Sequence, residues 1–138
     1  MKYILDTNVL SETTKQQPDK NVLNWFSLVP DTDKYISVMT IGEIVRGIEK
    51  LSDATKQRKL SIWLNNIIYD GFSGRIVNFD IDVMTVWGKL QAKLPRTLPI
   101  QDSLIAAAAL TRNMTIATRN VKDFEGIPNL KIFNPWKD

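Results

Sequence analysis

The sequence contains no histidine and no cysteine. Zinc sites built on imidazole or thiolate are therefore excluded, as are catalytic dyads and triads that need a His or Cys partner. Disulfides are excluded with them. Long apolar runs are also missing. The longest, Leu104 to Leu110, is far too short to cross a bilayer, and the charged Asp6 interrupts any signal-like N-terminus. The expected setting is the cytoplasm, with no membrane association, which the lack of cysteine permits. Repeats, low-complexity tracts and interdomain linkers are absent as well. With 138 residues, 43% of them hydrophobic, the chain is expected to fold as one domain over residues 1–138, around a core that needs neither disulfides nor a structural metal.

Acidic residues take the place of the missing ligand types. Asp6 ends the apolar segment Tyr3-Ile4-Leu5 and opens Asp6-Thr7-Asn8, while Glu43 and Asp102 fall at expected helix starts. Carboxylates are the ligands that Mg²⁺ and Mn²⁺ prefer, and a bound divalent ion activates water at neutral pH without a histidine base. The net charge is nevertheless +3, from 18 basic and 15 acidic residues. Should Asp6, Glu43, Asp102 and Asp123 gather at one place, the remaining surface is markedly basic. An acidic pocket in a basic surface suits a polyanion held by its phosphates, although such charge also serves solubility alone.

Strands and helices are expected to alternate. Tyr3–Leu5, Lys34–Ser37, Arg75–Asn78, Met114–Ala117 and Lys131–Phe133 read as short strands. Helical spacing of apolar residues marks Val9–Thr14, Asp19–Leu28, the stretch from Ile41 to Leu51, the stretch from Leu60 to Ile68, Asp80–Leu94 with Val83, Met84 and Trp87 inward, and Gln101–Arg112 behind Pro99. This pattern implies an α/β fold, a parallel β-sheet with helices on both faces. Ligands of such sheets bind outside the carboxyl ends of the strands, where Asp6 and Thr118 fall.

Each acidic residue also has a structural explanation. Asp6 is a good helix cap. Thr40-Ile41-Gly42-Glu43 fits a capping box, and Arg46 is placed to pair with Glu43. Asp102 in a first helical turn is favoured by the helix dipole alone. Among neighbouring residues, Thr7, Asn8, Ser37 and Thr118 are candidates to orient carboxylates, although Ser37 and Thr118 also suit strand-end caps. Arg112, Arg119 and Lys122 flank the strand that delivers Thr118 and are candidate substrate-binding cations. Lys56, Arg58, Lys59, Lys89, Lys93 and Arg96 read as solvated helix faces, with nucleic-acid backbone binding the minority reading. Trp25, Trp63 and Trp87 read as core, the apolar side near Trp25 or Trp63 also offering an anchoring groove for an amphipathic partner segment.

Four blocks carry a family resemblance: Tyr3-Ile-Leu-Asp-Thr-Asn-Val-Leu-Ser-Glu12, Ser37-Val-Met-Thr-Ile-Gly-Glu-Ile44, Pro99-Ile-Gln-Asp-Ser-Leu-Ile-Ala-Ala107 and Ala117-Thr-Arg-Asn-Val-Lys-Asp-Phe124. In order and spacing they resemble PIN-domain ribonucleases, most of all the VapC toxins of type II toxin–antitoxin modules. The end Phe133-Asn-Pro-Trp136 is similar to their FitB-like branch. The resemblance implies a PIN-domain-like sheet and an acidic pocket for Mg²⁺ or Mn²⁺. It also implies endonucleolytic cutting of structured RNA (tRNA or rRNA), a VapB-like antitoxin that blocks the pocket, and frequent homodimers. Asp6 and Asp102 match the metal ligands, and Glu43 the acidic residue completing the site. Asn120 falls where the family often has a fourth acidic residue, with Asp123 three residues on, so an Asn120→Asp change is expected to matter more than Asp123→Asn. Two other readings stay open at this point, a non-catalytic nucleic-acid binder on the same fold and an aspartate-based phosphatase or receiver-like domain.

Overall fold

A computed structural model describes residues 1–137. Five strands form one parallel sheet: β1 (Tyr3–Leu5), β2 (Lys34–Ser37), β3 (Ile76–Val77), β4 (Thr115–Ala117) and β5 (Ile132–Phe133), in the spatial order β3-β2-β1-β4-β5. The chain winds outward from β1 in one direction through β2 and β3, then returns to the other side of β1 for β4 and β5. The order therefore reverses between β1 and β4, and a ligand crevice is expected at their carboxyl ends. A receiver-like fold has the order 2-1-3-4-5, so the receiver reading is overturned by the sheet itself.

The helices are α1 (Thr7–Glu12), α2 (Lys20–Leu28), α3 (Val38–Glu49), α4 (Ala54–Trp63), α5 (Ile81–Lys93), α6 (Ile100–Arg112) and α7 (Val121–Phe124). A wider π-helical segment, Leu64–Tyr69, continues α4. Because strand side chains alternate between faces, Ile4 and Ile116 bury against α5 and α6, while Leu5, Ile36 and Ala117 bury against α1, α2, α3 and the π-helical segment. Helix α6 is buried from Ser103 to Ala109, and four consecutive alanines let it lie close to its neighbours. The N-terminus of α6 lies at the carboxyl edge of the sheet, and its C-terminus feeds β4 from the opposite edge.

Most expected elements are present within a residue or two, and β2 has the bounds that the sequence indicates. Helix α4 starts at Ala54 rather than near Leu60, and α7 is not anticipated. Three finer details also differ. Helix α1 starts at Thr7, directly after Asp6, rather than near Val9. Helix α3 is capped by Ser37, whose hydroxyl accepts the Thr40 N–H at 3.4 Å, so Thr40 is inside the helix and the expected capping box with Glu43 does not exist. Met84 is 39% exposed rather than inward, because it lies about 100° around the helix from the buried Val83.

Candidate active site

Three helix starts converge on the carboxyl edge of the sheet at the β1/β4 reversal. Asp6 follows β1 with no intervening residue and caps α1, its Oδ1 accepting the Thr7 N–H at 2.8 Å. Its backbone N–H donates to the Ala117 carbonyl at 2.9 Å, so the position is fixed by the strand pairing itself. Thr118, fully buried after β4, donates its hydroxyl to Asp6 Oδ2 at 2.8 Å. Asn8 Nδ2 adds longer contacts to Asp6 Oδ2 at 3.5 Å and Thr118 Oγ1 at 3.4 Å. Thr118 Oγ1 in turn accepts the Asn120 N–H at 3.0 Å.

Glu43 reaches the same place from the second turn of α3. Its Oε1 accepts the Thr7 hydroxyl at 2.9 Å, which makes Thr7 a two-way link, backbone to Asp6 and side chain to Glu43. Asp102 comes from the first turn of α6. That turn is braced from behind by Ser103, whose hydroxyl donates to the Ile100 carbonyl and accepts from Trp87 Nε1 at 2.9 Å and Gln91 Nε2 at 3.2 Å. Sequence reading treats Trp87 as core filling; its indole N–H is what ties α5 to the base of Asp102.

The electrostatics show that these carboxyls feel one another. Burial is the main cause holding the Asp6 carboxyl above its ordinary value, opposed by the Thr118 and Thr7 hydrogen bonds. Glu43 is also raised, first by burial and then by the charge of Asp6. Asp102 is pushed up to about 6 by burial together with the charges of Asp123, Asp6 and Glu43, with Arg96 pulling the other way. Asp123 is therefore part of this field. Asn120 contributes no charge, and its side chain makes no cap bond to α7.

The other sequence candidates divide. Thr7, Asn8 and Thr118 touch the acidic groups as expected. Ser37 does not; it is fully buried, and its hydroxyl serves as the α3 cap. Arg119 is exposed beside the crevice, its N–H directed at Asn8 Oδ1 and its guanidinium 5.3 Å from the Trp136 ring centroid, and Lys122 is exposed on α7. Arg112 is misplaced by the sequence reading. It ends α6 at the amino edge of the sheet and pairs with Asp80 at 3.0 Å. Arg96, read from sequence as a solvated charge, instead donates to the Asp123 and Glu125 carbonyls at 3.2 and 2.8 Å and pins α7 beside the site. A signal for it is available in its position just before Pro99 and the Asp102 turn.

The donor set is entirely oxygen, which fits a hard divalent ion. Among the described residues no three carboxyls close into a tight ligand cluster. Mg²⁺ usually keeps several of its waters and takes only one or two carboxylates directly, so a looser acidic pocket of this kind suits it. The carboxyls are held above their ordinary values mainly by burial and secondarily by one another's charge, and a bound cation would offset both.

Comparison with known proteins yields a match of residues 3–129 to the PIN domain. Toxin FitB of Neisseria gonorrhoeae is 32% identical over 98% of this chain and 99% of its own length. The tRNA(fMet)-specific endonuclease VapC of Salmonella typhimurium is 30% identical over 96% of both. The crystal structure of FitAcB from Neisseria gonorrhoeae superposes with a TM-score of 0.91 at 31% identity, covering 99% of each chain.

Proposed function

Since the chain belongs to the PIN-domain family, where it groups with proteins named FitB and VapC, we propose that it is a Mg²⁺- or Mn²⁺-dependent endoribonuclease acting as the toxin of a toxin–antitoxin pair. The observation that carries this reading is the convergence of Asp6, Glu43 and Asp102, with the charge of Asp123, at the one sheet edge where α/β folds bind ligands. Structured RNA of the tRNA class is the proposed substrate, following the name of the Salmonella relative.

Asp6 and Asp102 would hold the ion, and Asp123 supplies further negative charge from α7. When bound, a divalent cation supplies Lewis-acid stabilisation of the phosphoryl oxygens and a more acidic water. The chain's own residues do the rest. Thr118 and Thr7 fix the Asp6 carboxylate in one orientation, as partners of ligands commonly do. Glu43 is oriented through Oε1 by Thr7, and with its raised pKa it is suited to accept a proton from the attacking water. As the water oxygen bonds to phosphorus, the bond from phosphorus to the 3′ oxygen breaks and that oxygen takes up a proton. Arg119 and Lys122 at the rim balance the growing charge on the phosphoryl group.

Water as nucleophile leaves the ribose 2′-hydroxyl without a chemical part. Cleavage of RNA is expected to yield 5′-phosphate and 3′-hydroxyl ends, read by ligation-dependent sequencing of the products. A 2′,3′-cyclic phosphate as the main product would sink this mechanism.

Restraint by an antitoxin is consistent with the same field. Converging carboxyls attract a cation, and an arginine or lysine from a partner can pair with Asp6, Glu43 or Asp102 in place of the ion. Expression of the chain alone is expected to arrest growth, and co-expression with a neighbouring small open reading frame to relieve the arrest and yield a stable complex. Harmless expression with no co-purifying product would remove the toxin reading and leave a housekeeping nuclease.

A further inference from the structure

The acidic pocket does not end at Glu43. Thr7 and Glu43 help line a groove of about 320 Å³ whose lining also includes Ile44, Ile48, Leu60 and Trp63. That groove shares Thr14, Lys15, Lys56 and Leu60 with a larger hollow of about 640 Å³, where Lys59 and Asp53 also line the wall. The two form one channel between the end of α1, α3 and the start of α4. Its lining combines the Glu43 carboxyl of the candidate active site, an apolar floor, and Lys15, Lys56 and Lys59.

The three lysines are not equivalent. Lys15 pairs with the buried Glu12 at 2.8 Å. Lys56 and Lys59 are exposed, lie three residues apart and hence on one side of α4, and form no ion pair among the described residues. Asp53 faces the same hollow, but its carboxylate is engaged at the start of α4, accepting the Thr55 and Lys56 N–H groups at 3.0 and 3.1 Å. Free positive charge therefore lines the channel beside an apolar floor that contains a tryptophan.

We infer that this channel is a binding track for a single-stranded segment of the RNA substrate adjacent to the cut, its phosphates on Lys56 and Lys59 and an unstacked base against Leu60 and Trp63. This rests on the endoribonuclease reading. Single-stranded nucleic acid is held by just this pairing of cationic groups for the backbone with aromatic or apolar surface for the bases. The continuity of the channel with the carboxyls lets a strand lying in it present its next phosphodiester to them. Lys56 and Lys59 are exposed and Trp63 packs partly against the core, as the sequence reading has them, and the channel gives both a further use.

The test uses Asp102→Asn protein, which is expected not to cut, and a short fluorescein-labelled single-stranded RNA of mixed sequence as the probe in anisotropy titrations. Lys56→Gln/Lys59→Gln in that background is expected to weaken binding roughly 10-fold and to lower the slope of log affinity against log salt by about 1.4, near 0.7 for each phosphate no longer neutralised. Lys89→Gln/Lys93→Gln on α5 removes the same charge elsewhere and is expected to change neither. Equal effects of both pairs, or no effect of either, would overturn the track in favour of a diffuse field. So would unchanged RNA binding with loss of the antitoxin complex, which would give the channel to a protein segment. Trp63→Leu is expected to lower affinity without altering the salt slope, separating base contact from charge. Cleavage of bulk transfer RNA by the unsubstituted enzyme with Mg²⁺ is measured alongside. Its absence would count against the nuclease reading, whereas cleavage accompanied by unchanged probe binding in the Lys56/Lys59 variant counts against the track alone.

Discussion

Replacing Asp102 with Asn is expected to reduce RNA cleavage roughly 100-fold or more while raising the melting temperature of the metal-free protein. The two effects share one cause. Asp102 is partly buried in the first turn of α6 and faces the charges of Asp123, Asp6 and Glu43, which together with burial lift its pKa to about 6. At neutral pH it is ionised at a cost to the fold. Asn has nearly the same shape and carries no charge, so the repulsion goes while the Ser103, Trp87 and Gln91 brace beneath it stays. Allowing for solvent screening of a partly exposed group, the gain is about 1 kcal/mol, or roughly 3–5 °C in a domain of this size. Cleavage assays and calorimetry on the same preparation check both. A variant with full activity would remove Asp102 from the site, and one that melts lower would mean that it stabilises the fold rather than straining it.

Chelation is expected to abolish cleavage, and Mg²⁺ or Mn²⁺ to restore it. The same ions are expected to change stability in a pH-dependent way. Asp6, Glu43 and Asp102 all have folded-state values above their ordinary ones. The folded protein thus binds protons more tightly than the unfolded chain, and stability falls as pH rises through about 6, the value for Asp102. In EDTA the protein should therefore melt higher near about pH 5 than near about pH 7.5. A divalent ion should raise the melting temperature at the higher pH and much less at the lower, where protons compete for the same oxygens. Titration with Mn²⁺ also separates Asp123 from Asn120. Because Asp123 is the charge that Asp102 feels most, Asp123→Asn is expected to weaken binding, against the expectation drawn from sequence position. An unchanged affinity in that variant, with tighter binding in Asn120→Asp, would return the fourth position to Asn120. Cleavage that persists in EDTA would end the metal-dependent reading altogether.

The sequence makes the strands legible because each is a short apolar run between charged or turn-forming residues, and β2 between Asp33 and the Ser37 cap is read to the residue. Asp6 follows from the rule that ligands sit at carboxyl strand ends, and Asp102 from its place in the first turn of a helix. Helix α7 is not legible, since four residues are too few to show a period. Arg112 is misread for a geometric reason. It is close to Thr118 along the chain, but β4 lies between them, and a strand of three residues separates its ends by roughly 10 Å, enough to place them on opposite edges of the sheet. Glu43 looks like part of a cap because the motif fits locally, whereas only the three-dimensional position of Ser37 shows where α3 begins. Arg96 and Trp87 act through partners distant in sequence, Asp123 and Ser103, which no local pattern announces.

The hydrogen bond from Thr118 to Asp6 joins residues 112 positions apart, across the central pair of strands. A ribosome releases the chain from its N-terminus, so Asp6 leaves the exit tunnel long before β4 exists to complete its surroundings. Until then β1 has at most β2 beside it, Thr118 and Asp123 have yet to be made, Asp102 has no β4 behind its helix, and the pocket is incomplete. For an endoribonuclease, this order of arrival keeps the nascent chain harmless to the RNA that surrounds it during its own synthesis. It becomes dangerous only when its last strands close on the first.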